Sequence, residues 1–235
     1  MKRIIQREWL DDLPVEDPGA VGSRRDLQKL NRIMNHAGSL RRLLESGLRG
    51  RMPRRLIELG AGDGTLLLQL ARQVAPQWPR VEAALVDGRN AVTDETLAAF
   101  AALGWRVEVV TSDVFDWLKK PGELADATFC NLFLHHFSNK DLAEIFHLTS
   151  ARTRLFAACE PRRSPLPLFF SRLVRFIGCN AVTQHDAPVS VRAGFAGQEL
   201  SSLWPRQLPW RTHEHRAGLF THTFSAEHAH DHART

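Results

Sequence analysis

Residues 56–65, LIELGAGDGT, constrain the fold of this 235-residue chain more than any other segment. An apolar run ends at Glu58, and Gly60, Gly62 and Gly64 follow at alternate positions before the helical pattern LLLQLARQV. Glycines crowded between a strand and a helix let the main chain approach a ligand closely. The segment therefore predicts a strand, a ligand-binding loop and a helix in succession.

Strand and helix patterns alternate on both sides of this loop. Strands are predicted at residues 54–60, 81–87, 105–113, 125–134 and 153–161, with helices at 65–75, 93–104 and 139–150. Residues 210–226 are predicted to form two further strands about a turn at Ala217 and Gly218. Such alternation indicates an α/β fold with a doubly wound, Rossmann-like, seven-stranded sheet. We expect this sheet to be mostly parallel, with an antiparallel C-terminal strand.

The residues before the first strand predict a separate helical element. Apolar residues recur at helical spacing over 24–48, and Gly38 and Ser39 predict a break there, with Ser39 as the N-cap of a second helix. We therefore expect an N-terminal helical cap at residues 1–50 and one globular domain at residues 51–235.

Composition excludes several classes of protein. No apolar run approaches the ~20 residues that span a membrane, and the start of the chain lacks the apolar run of a signal peptide. The three cysteines have no metal-ligand spacing and are typical of reduced thiols, so we expect a cytoplasmic protein without a membrane partner. The net charge of +5 includes an arginine cluster before the first strand, at Arg41, Arg42, Arg49, Arg51, Arg54 and Arg55.

The loop's spacing and charge indicate which ligand it serves. A dinucleotide fingerprint is G-x-G-x-x-G with a pyrophosphate at the helix N-terminus, whereas this chain has G-x-G-x-G. Asp63 and Glu58 place negative charge where a pyrophosphate would lie, so a cationic ligand fits better. S-adenosylmethionine carries a sulfonium and an ammonium and has no phosphate.

E-L-G-A-G-D-G-T resembles the first motif of the class I S-adenosylmethionine-dependent methyltransferases. Asp87 ends the second predicted strand, where a carboxylate can accept both ribose hydroxyls. Asp113 ends the third; the resemblance implies that it accepts the adenine amino group, with the main chain of Val114 nearby. The alternative for each acid is a helix cap or a solvated loop. The full set of predicted cofactor-binding residues is Glu58, Gly60, Ala61, Gly62, Asp87, Gly88, Asp113, Val114 and Asn131.

The fourth predicted strand ends in CNLFLHHF, and similar L-H-H segments follow this strand in many small-molecule methyltransferases. The resemblance places Asn131 at the methionine end of the cofactor, and His135 and His136 where the methyl group meets its acceptor. A histidine can take a proton near neutral pH, so His136 or His135 is predicted to be the catalytic base. The alternative is that one ring packs internally while the other is solvated.

A looser resemblance over most of the chain is to bacterial methyltransferases found beside type III polyketide synthases. It implies a phenolic, quinone-like or polyketide-derived small-molecule acceptor. His185, Asp186 and Arg192 are candidate substrate-pocket residues, in a stretch over 185–195 that we expect to be irregular; a polar surface loop is the alternative. We predict no metal site, although the C-terminal histidines could bind metal adventitiously: His222, His228, His230 and His232.

Two alternatives to an enzyme of this kind remain at the level of sequence. The chain could bind the cofactor and act as a partner or regulatory protein without turnover. The arginine cluster could instead favour an RNA methyltransferase, but such enzymes often carry N-P-P-[FYW] after the fourth strand, where this chain has NLFL. We therefore do not expect a nucleic-acid partner, and the sequence does not predict the oligomeric state.

Overall fold

A seven-stranded sheet forms the centre of the protein, of which the computed structural model describes residues 1–206 and 209–229. The strands are β1 (Arg55–Leu59), β2 (Glu82–Asp87), β3 (Arg106–Thr111), β4 (Ala127–Asn131), β5 (Leu155–Pro161), β6 (Trp210–Ala217) and β7 (Thr221–His228). Their spatial order is β3-β2-β1-β4-β5-β7-β6. The first five strands pair in parallel, and β7 pairs antiparallel with both β5 and β6. The predicted mostly parallel sheet with an antiparallel C-terminal strand is confirmed.

Helices cover both faces of this sheet. They are α1 (Pro18–Ile33), α2 (His36–Leu48), α3 (Thr65–Val74), α4 (Asp94–Ala102), α5 (Val114–Lys119), α6 (Asn139–Ser150), α7 (Pro165–Ser171), α8 (Ala181–Ala193) and α9 (Glu199–Leu203). Short 3-10 helices lie at Trp9–Asp11, Leu134–His136 and Val174–Ile177. Side chains alternate along each strand, so Leu56 of β1 enters the core beneath α2 and α3 while Ile57 enters the core beneath α5 and α6. None of the described helices is both long and apolar enough to cross a membrane.

The strand order places the ligand crevice. Successive strands move outward from β1 to β3 in one direction and from β4 onward in the other, so the order reverses between β1 and β4. Ligands in open parallel sheets bind beyond the carboxyl ends of the strands at such a reversal. The glycine loop follows β1 and therefore lies at this point.

The N-terminal helices break at a different place from the one predicted. Helix α1 ends at Ile33, and α2 begins at His36 after Asn35, whose φ of 52° is left-handed. Gly38 and Ser39 lie inside α2, so the predicted N-cap at Ser39 is wrong. Asparagine tolerates the left-handed region better than most residues, which is why the chain can turn at Asn35 without a glycine.

The segment after β5 also differs from the prediction. Residues 185–195 were expected to be irregular, but most of them belong to α8, which begins after Asn180 and contains Pro188. The Asn180 side chain caps this helix by accepting a hydrogen bond from the Thr183 backbone N–H, at 2.9 Å. The helix continues through Pro188.

Candidate functional site

A cleft of about 380 Å³ lies at the carboxyl ends of β1, β2 and β4. Its walls contain most of the residues that the glycine motif predicted to bind a cofactor: Glu58, Gly60, Ala61, Gly62, Asp87, Gly88 and Asn131. Four carboxylates belong to this wall, those of Asp11, Glu58, Asp63 and Asp87, together with the side chains of Arg24 and Arg89. The cleft is named the cofactor cleft below.

The glycine loop and Asp87 hold each other in place. The Gly60 backbone N–H donates to the Val86 carbonyl at 2.8 Å, which ties the loop to the end of β2. The Gly62 N–H donates to one Asp87 carboxylate oxygen at 2.8 Å, and the Arg89 N–H donates to the other at 2.9 Å. Gly62 has a φ of 56°, and a Cβ there would meet no atom within 4 Å. The loop therefore turns its bare main chain toward open space in the cleft.

The charges in this cleft fit a cation. Glu58 is 1% exposed, and its Oε2 has no hydrogen-bond partner among the described residues. Burial first, and then the charges of Asp63 and Asp87, raise the pKa of Glu58 well above its usual range. A carboxyl group that is buried, unpaired and crowded by like charge is strongly relieved by a nearby positive group. The donor set therefore suits the ammonium and sulfonium of S-adenosylmethionine.

The N-terminal segment closes the cleft from above. Leu10, Asp11 and Val15 belong to its wall. The Arg89 guanidinium donates to the carbonyls of Leu10 at 3.2 Å and Leu13 at 2.5 Å. From α1, the Gln28 amide donates to an Asp63 oxygen at 2.7 Å. These wall residues had no signal in the sequence, because no local pattern reveals which distant element will pack over a loop.

A second cavity, of about 260 Å³, adjoins the cofactor cleft. Leu27 of α1 and Leu132 after β4 belong to the walls of both. The second wall is mostly apolar and comes from α1, α7, α8 and the 3-10 helix at Val174–Ile177. Leu132 has a φ of 51°, a strained conformation for a leucine of the kind found at functional sites. This cavity is named the apolar cavity below.

His36 at the start of α2 lies on the wall of the apolar cavity and was not predicted. Its Nδ1 lies 2.9 Å from Asn31 Oδ1 and its Nε2 lies 3.0 Å from the Thr221 hydroxyl. The Asn131 amide also donates to Asn31 Oδ1, at 3.4 Å, so this oxygen is an acceptor and Nδ1 carries the hydrogen. Burial lowers the pKa of His36 to about 4, although the negative charge of Glu160 acts to raise it. The ring is therefore neutral near pH 7.

The structure does not bring His135 or His136 to the wall of either cavity. His135 is 2% exposed, and its ring nitrogens lie 2.9 Å from Glu160 and 3.2 Å from Glu8. Burial alone would lower the pKa of His135, but the hydrogen bonds to the two carboxylates outweigh it and raise the pKa to about 9. His136 is half-buried, with Nδ1 3.4 Å from Asp11. This geometry gives no support to a catalytic base at either position.

Glu8, His135 and His136 each offer a potential metal ligand atom, and these atoms lie within 4.8 Å of one another. However, both ring nitrogens of His135 bond carboxylates in its protonated form, which leaves no lone pair for a metal. The geometry is that of a buried ion-pair cluster. His230 and His232 of the predicted histidine-rich tail lie outside the described residues, whereas His222 is buried and lies 2.7 Å from Glu214.

Asp113 and Val114 do not belong to the wall of the cofactor cleft. Asp113 is the N-cap of α5, where its Oδ1 accepts from the backbone N–H groups of Phe115 at 2.8 Å and Asp116 at 3.2 Å. The helix-cap alternative describes this contact, because an aspartate directly before a helix satisfies its free N–H groups.

The candidate substrate-pocket residues on α8 hold the N-terminal segment instead. The Asp186 carboxylate accepts from the Trp9 and Leu10 N–H groups, at 2.9 Å and 3.0 Å. The His185 ring stacks on Trp9 with 3.9 Å between ring centroids. Arg192 contributes its backbone carbonyl to the Ile4 N–H, at 3.1 Å. The residues of α8 on the apolar cavity are Ala187, Ser190 and Val191.

Comparison with known proteins agrees with this architecture. Residues 56–154 match the family described as methyltransferase domain, and no curated protein sequence matches the chain. The fold is similar to that of the plantazolicin methyltransferase BpumL in complex with SAH, at 11% identity, 91% coverage of each chain and a TM-score of 0.64. It is also similar to the mitomycin 7-O-methyltransferase MmcR, at 16% identity and a TM-score of 0.63, covering 94% of this chain and 60% of that one.

A third similar structure is the magnesium protoporphyrin IX methyltransferase ChlM from Synechocystis PCC 6803 with bound SAH. It is 13% identical, with 86% of this chain and 87% of that chain covered and a TM-score of 0.52. At such identities the likeness is one of fold, while the match over residues 56–154 concerns the sequence that builds the cofactor cleft. Residues 56–154 are therefore similar in sequence to the methyltransferase domain family, and the chain shares its fold with methyltransferases whose structures contain SAH.

Proposed function

We propose that the protein methylates a small, largely apolar acceptor that lies in the apolar cavity, with S-adenosylmethionine in the cofactor cleft. The observation that carries this proposal is the pair of adjoining cavities, which share Leu27 and Leu132 and differ in chemistry. One has four carboxylates and bare glycine main chain; the other has an almost wholly apolar wall. A methyl donor and its acceptor must meet in line, and two cavities in contact allow this alignment.

Each wall residue of the cofactor cleft has a role that its geometry supports. Asp87 has both oxygens at the cleft, already accepting from backbone N–H groups, and is suited to bind ribose hydroxyls as well. Glu58 and Asp63 supply negative charge for the cationic end. Asn131 is 8% exposed and its Oδ1 is buried without a partner among the described residues, so it offers an acceptor for the ammonium. When bound, S-adenosylmethionine supplies an electrophilic methyl group.

The apolar cavity favours a flat, apolar acceptor with few polar groups. At about 260 Å³ it lies below the ~300–1,000 Å³ common for ligand pockets, which suits a one- or two-ring compound. Among its polar wall residues, His36 has Nε2 free of hydrogen and able to accept a hydrogen bond from an acceptor hydroxyl in place of Thr221. Because burial lowers its pKa to about 4, His36 is a weak base, and we assign it the role of orienting the acceptor hydroxyl. A phenolic, quinone-like or polyketide-derived acceptor fits this arrangement.

Calorimetry with S-adenosylhomocysteine tests the cofactor assignment. We expect the wild-type protein to bind it, and Asp87→Asn to weaken binding at least tenfold, because the charge that faces the ribose is lost. Asp94→Asn is a matched control, since Asp94 is exposed on α4 away from the cleft wall. Equal affinity of the Asp87→Asn variant and the wild type would show that Asp87 does not contact the cofactor.

Turnover tests the acceptor assignment separately. The protein is incubated with S-adenosylmethionine labelled in the methyl group and with extracts of the producing cell, and the labelled product is identified. A labelled small molecule of phenolic or quinone type supports the proposal. Binding of S-adenosylhomocysteine without any methyl transfer would favour a cofactor-binding partner protein, and label in RNA would favour the nucleic-acid alternative.

A further inference from the structure

The mouth of the apolar cavity carries an unusual concentration of exposed apolar side chains. Seven large apolar residues there are between 42% and 70% exposed. We name this set the apolar rim: Ile33, Leu166, Phe169, Phe170, Phe176, Ile177 and Leu219. Three of them also belong to the cavity wall, namely Ile33, Phe170 and Ile177. Clustered exposed apolar residues of this kind mark a surface that contacts something other than water.

The rim is built from four elements that meet at the cavity: the end of α1 with Ile33, α7, the 3-10 helix after it and the β6–β7 turn. Phe169 and Phe170 on α7 are in ring contact at 5.6 Å, and Phe170 contacts Phe220 at 5.7 Å, next to Leu219 in the β6–β7 turn. Phe176 lies in the following 3-10 helix, under the Arg175 guanidinium at 4.6 Å. The rim is therefore continuous with the wall of the cavity and forms its outer edge.

The charge around the rim has one sign. Residues 162–185 contain four arginines and no aspartate or glutamate. Arg172 and Arg175 are exposed, as is Arg32 beside Ile33, whereas Arg163 is buried and paired with Glu199. The nearest acid on α1, Asp26, is buried and bonded to the backbone of Asn180 at 2.7 Å. Within residues 1–206 and 209–229, Arg32, Arg172 and Arg175 form no ion pair, and exposed phenylalanines among such charge suit a surface that is both apolar and anionic.

We propose that the apolar rim docks on the surface of an anionic lipid bilayer and that a lipophilic acceptor enters the apolar cavity directly from it. The aromatic and aliphatic side chains of the rim insert among the acyl chains, and Arg172 and Arg175 contact lipid phosphates. A second copy of the chain fits less well, because a symmetric contact would bring the same arginines of both copies together. This proposal departs from the expectation of no membrane partner; the docking is peripheral and needs no membrane span, for which none of the described helices is long and apolar enough.

The entry route rests on the proposed function, because it takes the apolar cavity as the acceptor site. The docking surface does not depend on it. Failure of S-adenosylhomocysteine binding would remove the methyltransferase assignment of this chain and leave the docking intact. Failure of vesicle binding would remove the docking and leave the methyltransferase assignment intact.

Vesicle sedimentation with the full-length protein tests the docking. We expect it to pellet with vesicles of phosphatidylcholine and phosphatidylglycerol, more weakly with phosphatidylcholine alone, and less as salt rises. The double variant Phe169→Ser/Phe176→Ser should lose at least tenfold in partitioning. Arg172→Gln/Arg175→Gln should lose a similar amount on anionic vesicles, at roughly fivefold for each arginine.

Matched controls separate the rim from general apolar or basic character. Met52→Ser/Leu124→Ser removes two exposed apolar side chains. They precede β1 and β4, at the amino-terminal ends of these strands, opposite the carboxyl ends where the cofactor cleft lies. Arg54→Gln/Arg72→Gln removes two exposed arginines outside the rim. Both controls should bind vesicles like the wild type. All variants should keep the wild-type melting temperature within a few degrees and the same affinity for S-adenosylhomocysteine.

Three results would overturn the proposal. The wild type could fail to bind anionic vesicles, or the rim variants could bind as well as their controls. Light scattering could instead show a dimer that Phe169→Ser/Phe176→Ser dissociates, in which case the rim is an interface between two copies.

Discussion

The buried ion pairs around His135 make a strong prediction about stability. The protonated ring lies between Glu160 and Glu8, and Glu8 also accepts a hydrogen bond from the Ser190 hydroxyl. Glu8 is 8% exposed, so its charge has little access to water. Burial alone would raise the pKa of Glu8, but its hydrogen bond to His135 and the charge of that ring lower the pKa from 4.5 to about 2. The change to test is Glu8→Gln.

The size of the effect follows from these pKa values. For Glu8 the difference corresponds to about 3 kcal/mol, at ~1.36 kcal/mol for each pH unit, and removing one partner of a buried ion pair typically costs ~3–5 kcal/mol. We use the lower figure, because His135 keeps Glu160 in the variant. The free energy of unfolding of Glu8→Gln at pH 7 should therefore be about 3 kcal/mol below that of the wild type.

The pH dependence has a definite sign. His135 has a pKa of about 9 in the folded state, against the ordinary histidine value of 6.5, so its stabilisation is complete below pH 6.5 and is lost as the pH rises through 9. The pKa of Glu8 is lowered to about 2, so its contribution to the stability of the fold is complete above pH 4.5. This contribution is lost as the pH falls toward 2. From pH 7 to 8 the His135 contribution should fall by about 1 kcal/mol in the wild type. Without the Glu8 charge this fall should be much smaller.

Urea denaturation followed by tryptophan fluorescence at pH 7 and pH 8 measures both effects. The cysteines and His36 titrate near this range only in the unfolded chain, and they are present in both proteins, so their effects cancel in the difference between them. Glu16→Gln is the control, because Glu16 is an exposed residue of the same N-terminal segment. Equal pH slopes for the wild type and Glu8→Gln would refute the assignment of a protonated His135 between two carboxylates.

Three further outcomes follow from the site and the core. Glu58→Gln should raise the melting temperature of the ligand-free protein at pH 7, because burying a carboxylate is costly. The same variant should bind S-adenosylhomocysteine at least tenfold more weakly in calorimetry, and normal binding would contradict the charge argument. His36→Phe should lower kcat by ~10²-fold with unchanged S-adenosylhomocysteine affinity, because the acceptor hydroxyl loses the hydrogen bond that orients it, and full activity would exclude this role for His36. Phe156→Ala should cost ~3–5 kcal/mol in urea denaturation, since Phe156 is fully buried, whereas Leu124→Ala on the surface should change stability little.

The sheet was predictable because its signals are local. Apolar runs of strand length alternate with helical spacing, and the glycine loop after β1 marks the crevice, so seven of the nine predicted cofactor residues lie on the wall of the cofactor cleft. Whether they bind the cofactor stays a prediction, as does the division into a cap at 1–50 and a domain at 51–235. Helix α2 packs on β5 and α3, and its leucines belong to the same core as β1.

The contacts between distant segments were not predictable. Asn31 and Asn131 are 100 residues apart in sequence, and the link that they make to His36 depends on how α1 lies over β4. The role of the L-H-H motif also depends on contacts with distant segments. Its residue types suit catalysis, but Glu160 and Glu8 come from elsewhere in the chain and hold His135 as an internal cation.

The N-terminal segment links the two cavities in a way that sets the order of events during turnover. Leu10 and Asp11 form part of one wall, and Glu8, two residues earlier, is bonded to Ser190 on the wall of the other. We expect this segment to lift when the proposed cofactor exchanges, and lifting it would break the Glu8–Ser190 contact at the apolar cavity. We therefore expect compulsory-order kinetics, with the methyl donor bound first and its demethylated product released last.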